Sequence, residues 1–294
     1  MYINESLMHL HQSPFSVDDL QPETQEDHEG PWQQTWPEGT WRKNLNVDPV
    51  TQGATFLLYL PAGYGRAEEA EVAKTHPRGR FEAHTCHEEI FNLGGNYVFG
   101  DYYTFPEMGY INHPPNWVHP ANQSTDTGVL LLIKNSAPVS FDFTLIPEGW
   151  NGVEGTDRGA GNLDDTTGGV TFLPTDAAPW HKLKSADGTE LDLEAKQIWH
   201  DSRSGWSTWI MKAPRGWVSP VAAVTSEGGD EMFLLEGDFT HSRHGILEAT
   251  SYYSDSDDIS FGGESSENGC VAIRWSKGDS QFFLPDVIEP NQIS

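Results

Sequence analysis

The sequence predicts an all-β protein: two tandem copies of one β-domain behind an extended N-terminal arm. Three observations predict it. Short runs rich in aromatic and β-branched residues recur along the chain, bounded by Gly, Pro or Asn. The chain holds 29 Gly and 19 Pro residues, a content that favours turns and short strands over long helices. The second half repeats the order of the first.

The elements follow in order. Residues 1–40 are polar, carry Trp32 and Trp36, run up to Trp41, and read as an arm packed on the body. Residues 41–149 form the first domain, with strands expected in ATFLLYLPAG (54–63), EIFNLGG (89–95), NYVFGDYYTF (96–105) and GVLLLIKNS (128–136). Residues 150–180 read as a linker, since WNGVEGTDRGAGNLDDTTGG (150–169) is rich in Gly and Asp and lacks a strand pattern. Residues 181–294 form the second domain, with strands in STWIMKAPRG (207–216), EMFLLEGDF (231–239), SYYSD (251–255) and CVAIRW (270–275). Helical periodicity is nowhere sustained, and LDLEAKQIWH (191–200) holds at most one turn.

Laid side by side, the halves match segment by segment. ATFLLYLPAGYG parallels STWIMKAPRGWV, HEEIFNLGGNYVFGD parallels GDEMFLLEGDF, and GYINHPPNWVHP parallels SYYSDSDDISFG. A repeat of this length means two copies of one domain rather than a solenoid.

Composition bounds the function. The net charge is −27, which repels phosphate backbones and anionic lipid and argues against nucleic-acid or membrane partners. Hydrophobic residues make up only 36%, but 14 Phe and 11 Trp supply the missing buried area. Two cysteines, Cys86 and Cys270, are too few for a disulfide framework. The start of the chain lacks a secretory signal, and the longest apolar run, GVLLLI, is too short to span a bilayer. The expectation is a cytoplasmic protein whose partner is a small molecule, with a homodimer left open.

The chemistry concentrates in FEAHTCHEEIFNLGGNYVFG (81–100). Glu82, His84, Cys86 and Glu88 share one parity, so a continuous strand would turn all four to one face, the lumen of a small barrel. His87 and Glu89 would point the other way. Further on, NHPPNWVHP offers His113 and His119, with Pro114 and Pro115 making a stiff turn that aims His119 inward. Imidazoles and a carboxylate converging from separate strands suit a borderline divalent metal. His113 reads equally as a turn residue or as part of the pocket mouth. Trp117, Tyr102, Tyr103, Tyr110, Phe91 and Asn92 are candidates to line the lumen, and among them Phe91, Tyr102, Tyr110 and Trp117, with His113, are the expected substrate contacts.

These motifs resemble the cupin superfamily, and the repeat resembles a bicupin. A cupin barrel carries His-x-His, a Glu three or four residues on, a trailing Gly, and later a Pro followed by a His. Here His84 falls on the second histidine, Glu88 on the Glu, Gly95 on the Gly, and Pro114 or Pro115 with His119 on the second motif. The resemblance implies tandem jelly-roll barrels and metal ligands His84, Glu88 and His119. Glu82 stands where the first histidine would be. It is the next candidate ligand, then His87; whichever is not ligated is the candidate catalytic base. In the second copy the matching positions are Val224, Ser226, Asp230 and Phe261, so no metal is expected there in the same way, and His241 and His244 read as solvated turn residues. The function implied is an Fe(II) dioxygenase cleaving a C–C bond of a diketone, phenolic or similar chelating substrate. Zn, Mn, Ni or Co would fit the same ligands. The rivals are a metal-dependent lyase, isomerase or hydrolase, and a non-catalytic zinc-bound sensor or binding module.

Overall fold

The structure, a computed structural model, describes residues 32–35, 39–65, 81–99, 103–120, 123–140, 171–175, 178–184, 188–201, 204–220, 224–226, 229–255, 259–261 and 263–277. It divides into two compact units, 1–177 and 178–294. All regular elements among the described residues are strands apart from a single 3-10 position. No helix among them is long and apolar enough to cross a membrane.

The first unit contains β1 (Gln33–Thr35), β2 (Thr40–Val47), β3 (Ala54–Leu60), β4 (Phe81–Ala83), β5 (Glu88–Gly95), β6 (Tyr97–Phe99), β7 (Tyr103–Phe105), β8 (Gly109–His113), β9 (Val118–Pro120), β10 (Gln123–Ser124), β11 (Val129–Asn135) and β12 (Thr171–Pro174). Seven of them form one sheet in the order β1-β2-β3-β11-β5-β8-β12, beside a β10-β6-β7 sheet and a β4-β9 pair. The second unit contains β13 (His181–Lys184), β14 (Glu190–His200), β15 (Trp206–Ala213), β16 (Trp217–Val218), β17 (Val224–Ser226), β18 (Asp230–His241), β19 (Gly245–Glu248), β20 (Tyr252–Asp255), β21 (Ile259–Phe261), β22 (Ser265–Ser266) and β23 (Cys270–Lys277). Its main sheet runs β13-β14-β15-β23-β18-β22-β16, with β19 and β20 on β18 and a separate β17-β21 pair.

Three stretches take a more definite form in the structure. Thr171–Pro174, inside the expected linker 150–180, is a strand that pairs with β8. Residues 33–35, inside the expected arm, pair with β2. The stretch 191–200 is strand throughout: alternate burial of Leu191, Leu193 and Ala195 matches a period of two. Residues 1–31 and 36–38 of the arm, and 150–170 and 176–177 of the linker, lie outside the described residues.

The internal repeat is visible in the register. Glu88 pairs with His113 and Phe91 with Tyr110; Asp230 pairs with Asp255 and Phe233 with Tyr252. Each copy carries a bulge at the same place, leaving Leu93 and Leu235 unmatched between flanking pairs. Each then turns at a glycine in the left-handed region, Gly95 (φ 97°) and Gly237 (φ 76°). A Cβ on either would strike a backbone carbonyl, of Gly128 or Gly269, so only glycine fits. Tyr110 OH donates to Glu89 Oε2 at 2.7 Å, and Tyr252 OH donates to Glu231 Oε2 at 2.7 Å. The Pro-x-Gly turns also match: Tyr64 N–H donates to Pro61 O, and Trp217 N–H to Pro214 O.

The inner face of the first sheet buries Phe56, Ile90, Ile111, Leu131 and Ile133 with Tyr97 and Phe105. Each such side chain contributes about 1.5–3 kcal/mol by leaving water. The second unit builds its core from Leu191, Leu193, Trp209, Met211, Met232, Leu234 and Phe239. Glu88 and His113 stand on the same face of their strands as Ile90 and Ile111, so the polar groups cap one end of an apolar interior.

Candidate metal centre

Two turns clamp the motif segments together. After β4 the chain bends at Thr85 and Cys86 before β5 begins. Pro114 and Pro115 stop β8, Asn116 takes a left-handed conformation (φ 66°), and Trp117 N–H donates back to Pro114 O. Asn116 N–H donates to His84 O at 2.7 Å, joining the two turns. The β4-β9 pair then sets Glu82 opposite His119. Residues about 30 apart in sequence are thereby brought to one end of the barrel.

There three imidazoles gather. His84, His113 and His119 each offer a ring nitrogen, these nitrogens all lie within 4.8 Å of one another, and all three residues are buried. The His113 and His119 rings stack with centroids 4.4 Å apart; His84 lies 5.0 Å from His119 and 5.9 Å from His113. Glu88 reaches in from β5, its Oε2 3.3 Å from His84 Nε2 and 3.0 Å from His113 Nδ1. Its Oε1 accepts from Asn135 Nδ2 at 3.2 Å in the amide orientation that satisfies both groups. His84 Nδ1 lies 2.9 Å from Cys86 O and donates to it, so Nε2 is the nitrogen that faces the cluster and would serve as ligand once a cation displaces its proton. Trp117, also buried, packs on His113 at 4.9 Å and on His119 at 5.7 Å.

The electrostatics fit a cation. Burial disfavours the charged form of His84, yet the Glu88 carboxylate and the Cys86 contact outweigh it and push the imidazole up to about 11. Burial would raise Glu88, but His84 and His113 hold it well below the usual carboxylate range. Burial lowers His113, with Glu88 opposing. The carboxylate thus holds positive charge beside it, and three imidazole nitrogens plus one oxygen form a donor set suited to a borderline divalent ion.

The expected site residues separate by face. His84, His119 and Glu88 come together. His113 joins them as a third imidazole, correcting its reading as a turn or pocket-mouth residue; its one-to-one register with Glu88 was the hidden signal. Phe91 and Tyr110 do not line this lumen. They share the opposite face with Glu89 and Asn112, because strand side chains alternate. His87 goes with them: its Nε2 accepts from Asn112 Nδ2 at 2.8 Å, on the side of the sheet away from His113. Asn92 spends its amide on Gly95 O and Phe105 O. Glu82 has its backbone opposite His119; its side chain, that of Tyr103, and the whole of Tyr102 and His76 lie outside the described residues. Cys86 and Cys270 are buried free thiols.

The matching place in the second unit holds a different cation. Asp230, the counterpart of Glu88, accepts from Arg274 Nε at 2.6 Å and Nη2 at 3.1 Å, and from Tyr253 OH at 2.6 Å. Asp255 occupies the position of His113, and Val224 pairs with Phe261 as Glu82 pairs with His119. A buried guanidinium neutralises the carboxylate there.

No protein-family model matches the sequence, and no curated protein matches it. Solved structures do share the architecture. A candidate dioxygenase from Nostoc punctiforme PCC 73102 is 13% identical, with 84% of this chain and 78% of that one covered at a TM-score of 0.60. Streptomyces albus HEPD, solved with 2-hydroxyethylphosphonate and Fe(II), is 10% identical, with 84% and 72% covered at 0.53. The salicylate 1,2-dioxygenase of Pseudaminobacter salicylatoxidans is 12% identical, with 76% and 70% covered at 0.49. The first two likenesses establish the fold, an all-β jelly-roll architecture.

Proposed function

We propose that the chain is a metal-dependent dioxygenase of the cupin kind. It binds Fe(II) through His84, His113 and His119 with Glu88 beside them, and cleaves a C–C bond of a diketone, phenolic or similar chelating molecule. The observation that carries this reading is the buried imidazole cluster with its carboxylate at the end of an apolar interior. The fold, shared with an iron-holding structure, supports it.

Fe(II) in this position would supply the Lewis acidity and redox chemistry by which O2 attacks a chelated substrate, both oxygen atoms ending in the products. The protein's part is positioning. Cys86 O fixes the His84 tautomer through Nδ1. Glu88 Oε2 accepts the Nδ1 proton of His113, orienting that ring and raising its basicity. Trp117 walls the cluster and offers an apolar surface to the substrate. Glu82, opposite His119, is the candidate for a further ligand or base. The small-molecule substrate and a cytoplasmic setting belong to the same proposal.

The test is metal analysis of anaerobically purified protein beside His113→Ala and His119→Ala, followed by oxygen-electrode assays with β-diketones and ortho-hydroxylated aromatic acids. Iron in the wild type, lost in both variants, with O2 uptake is the expected result. Zinc with no O2 uptake would replace the oxygenase by a hydrolase, lyase or sensor. Metal retained in both variants, or absent throughout, would overturn the site.

A further inference from the structure

The second unit carries a donor cluster that the repeat does not explain. β18 is longer than β5; past Gly237 it continues to His241 and enters a tight hairpin, with His241 paired to Gly245 of β19. The loop between them, Ser242 to His244, has no equivalent among the segments that align the two copies. It brings His241 and His244 over the end of β20, where Asp255 stands. One ligand atom from each of the three residues lies within 4.8 Å of the others. We propose that His241, His244 and Asp255 form a second divalent-metal site, of the zinc type, which pins the β18-β19 hairpin to β20.

The geometry supports ligation in three ways. First, the imidazoles are held in place: His241, His244 and Tyr253 stack on one another, each pair of centroids 4.8 Å apart, and Tyr253 is anchored through its OH to Asp230. Second, the carboxylate is oriented. Arg243 Nη1 holds Asp255 Oδ1 at 3.2 Å, turning Oδ2 to His244 Nε2 at 2.9 Å. A guanidinium on the far oxygen of a ligating carboxylate is an outer partner that fixes its direction. Third, the site is reachable: the His244 side chain is 29% exposed, whereas His241 is 1% exposed. Two nitrogens and one oxygen leave a fourth tetrahedral position for water. A cation takes the place of the proton between His244 and Asp255, and competes with the bond from Arg243 N–H to His241 Nδ1 at 3.3 Å.

This site is independent of the first and is tested with the first removed. In the full chain carrying His84→Ala and His119→Ala, Co2+ is added and its visible absorption and stoichiometry are read. One equivalent with the intense bands of tetrahedral cobalt is expected. It should be lost on adding His244→Ala, an exposed substitution that leaves the core intact, and also on adding Asp255→Asn. Zn2+ should compete the cobalt out and raise the melting temperature of the parent but not of the His244→Ala chain. Binding of no cobalt by the parent, or unchanged binding after His244→Ala, would overturn the proposal.

Discussion

Replacing Glu264 by Gln should make the protein more stable at pH 8 and change it little at pH 4.5. Glu264 sits just before β22 and is 2% exposed, and its Oε1 makes no hydrogen bond among the described residues. The nearby guanidinium of Arg274 is taken up by Asp230, so it offsets the burial only in part. Burial therefore pushes the carboxyl from 4.5 to about 7, with Arg274 opposing and Asp230 assisting. A carboxyl raised on folding stabilises the fold in its neutral form. That contribution is full below pH 4.5, falls as pH rises to about 7, and is gone above it. At about 1.4 kcal/mol per pH unit, the loss comes to about 3 kcal/mol. Gln is neutral at every pH and keeps the shape, so it escapes the loss. The assay is urea unfolding of both proteins at pH 4.5 and 8, followed by tryptophan fluorescence. The difference between wild type and variant should open by about 3 kcal/mol in favour of Gln at the higher pH. A difference that does not change with pH, or a variant less stable at pH 8, would refute the assignment of a neutral buried carboxyl.

Four further outcomes follow from the same structure. Glu88→Gln should lower metal affinity at the first site by about 10- to 100-fold if the carboxylate acts through His113, and by more if it ligates directly; competition with a chelator measures it. Metal binding there should strengthen about tenfold per pH unit across neutral pH, because the ion displaces a proton that the Glu88 carboxylate holds on His84, pushed up to about 11; proton release on metal addition checks the sign. Arg274→Met should destabilise the second unit by about 3–5 kcal/mol, since Asp230 would be left charged and buried, as denaturant midpoints would show. Gly95→Ala and Gly237→Ala should each cost more than about 1 kcal/mol, because both need a left-handed φ and a bare Cα against a carbonyl; thermal melts would read the loss.

The strands and their repeat were legible because they depend on local pattern. EIFNLGG and EMFLLEGDF carry the same apolar run and the same glycine, and the structure gives both the same bulge and the same turn. His84, Glu88 and His119 were legible through motif spacing. The face that Phe91 and Tyr110 take is not legible in the sequence, because aromatic content does not say which side of a strand a residue faces. A bend at Cys86 and the start of β5 at Glu88 fix that parity, and neither is visible in composition. The place of His113 in the cluster is not legible locally, because its partner, Glu88, lies 25 residues away and meets it only through sheet register.

The sequence by itself determined the element type, the twofold internal repeat and the supply of metal-binding side chains, since periodicity, turn residues and residue chemistry are local properties. Only the tertiary structure decided which of those side chains converge. Convergence depends on strand register and on bends at single residues, and a shift of one position in either sends a side chain to the opposite face of the sheet.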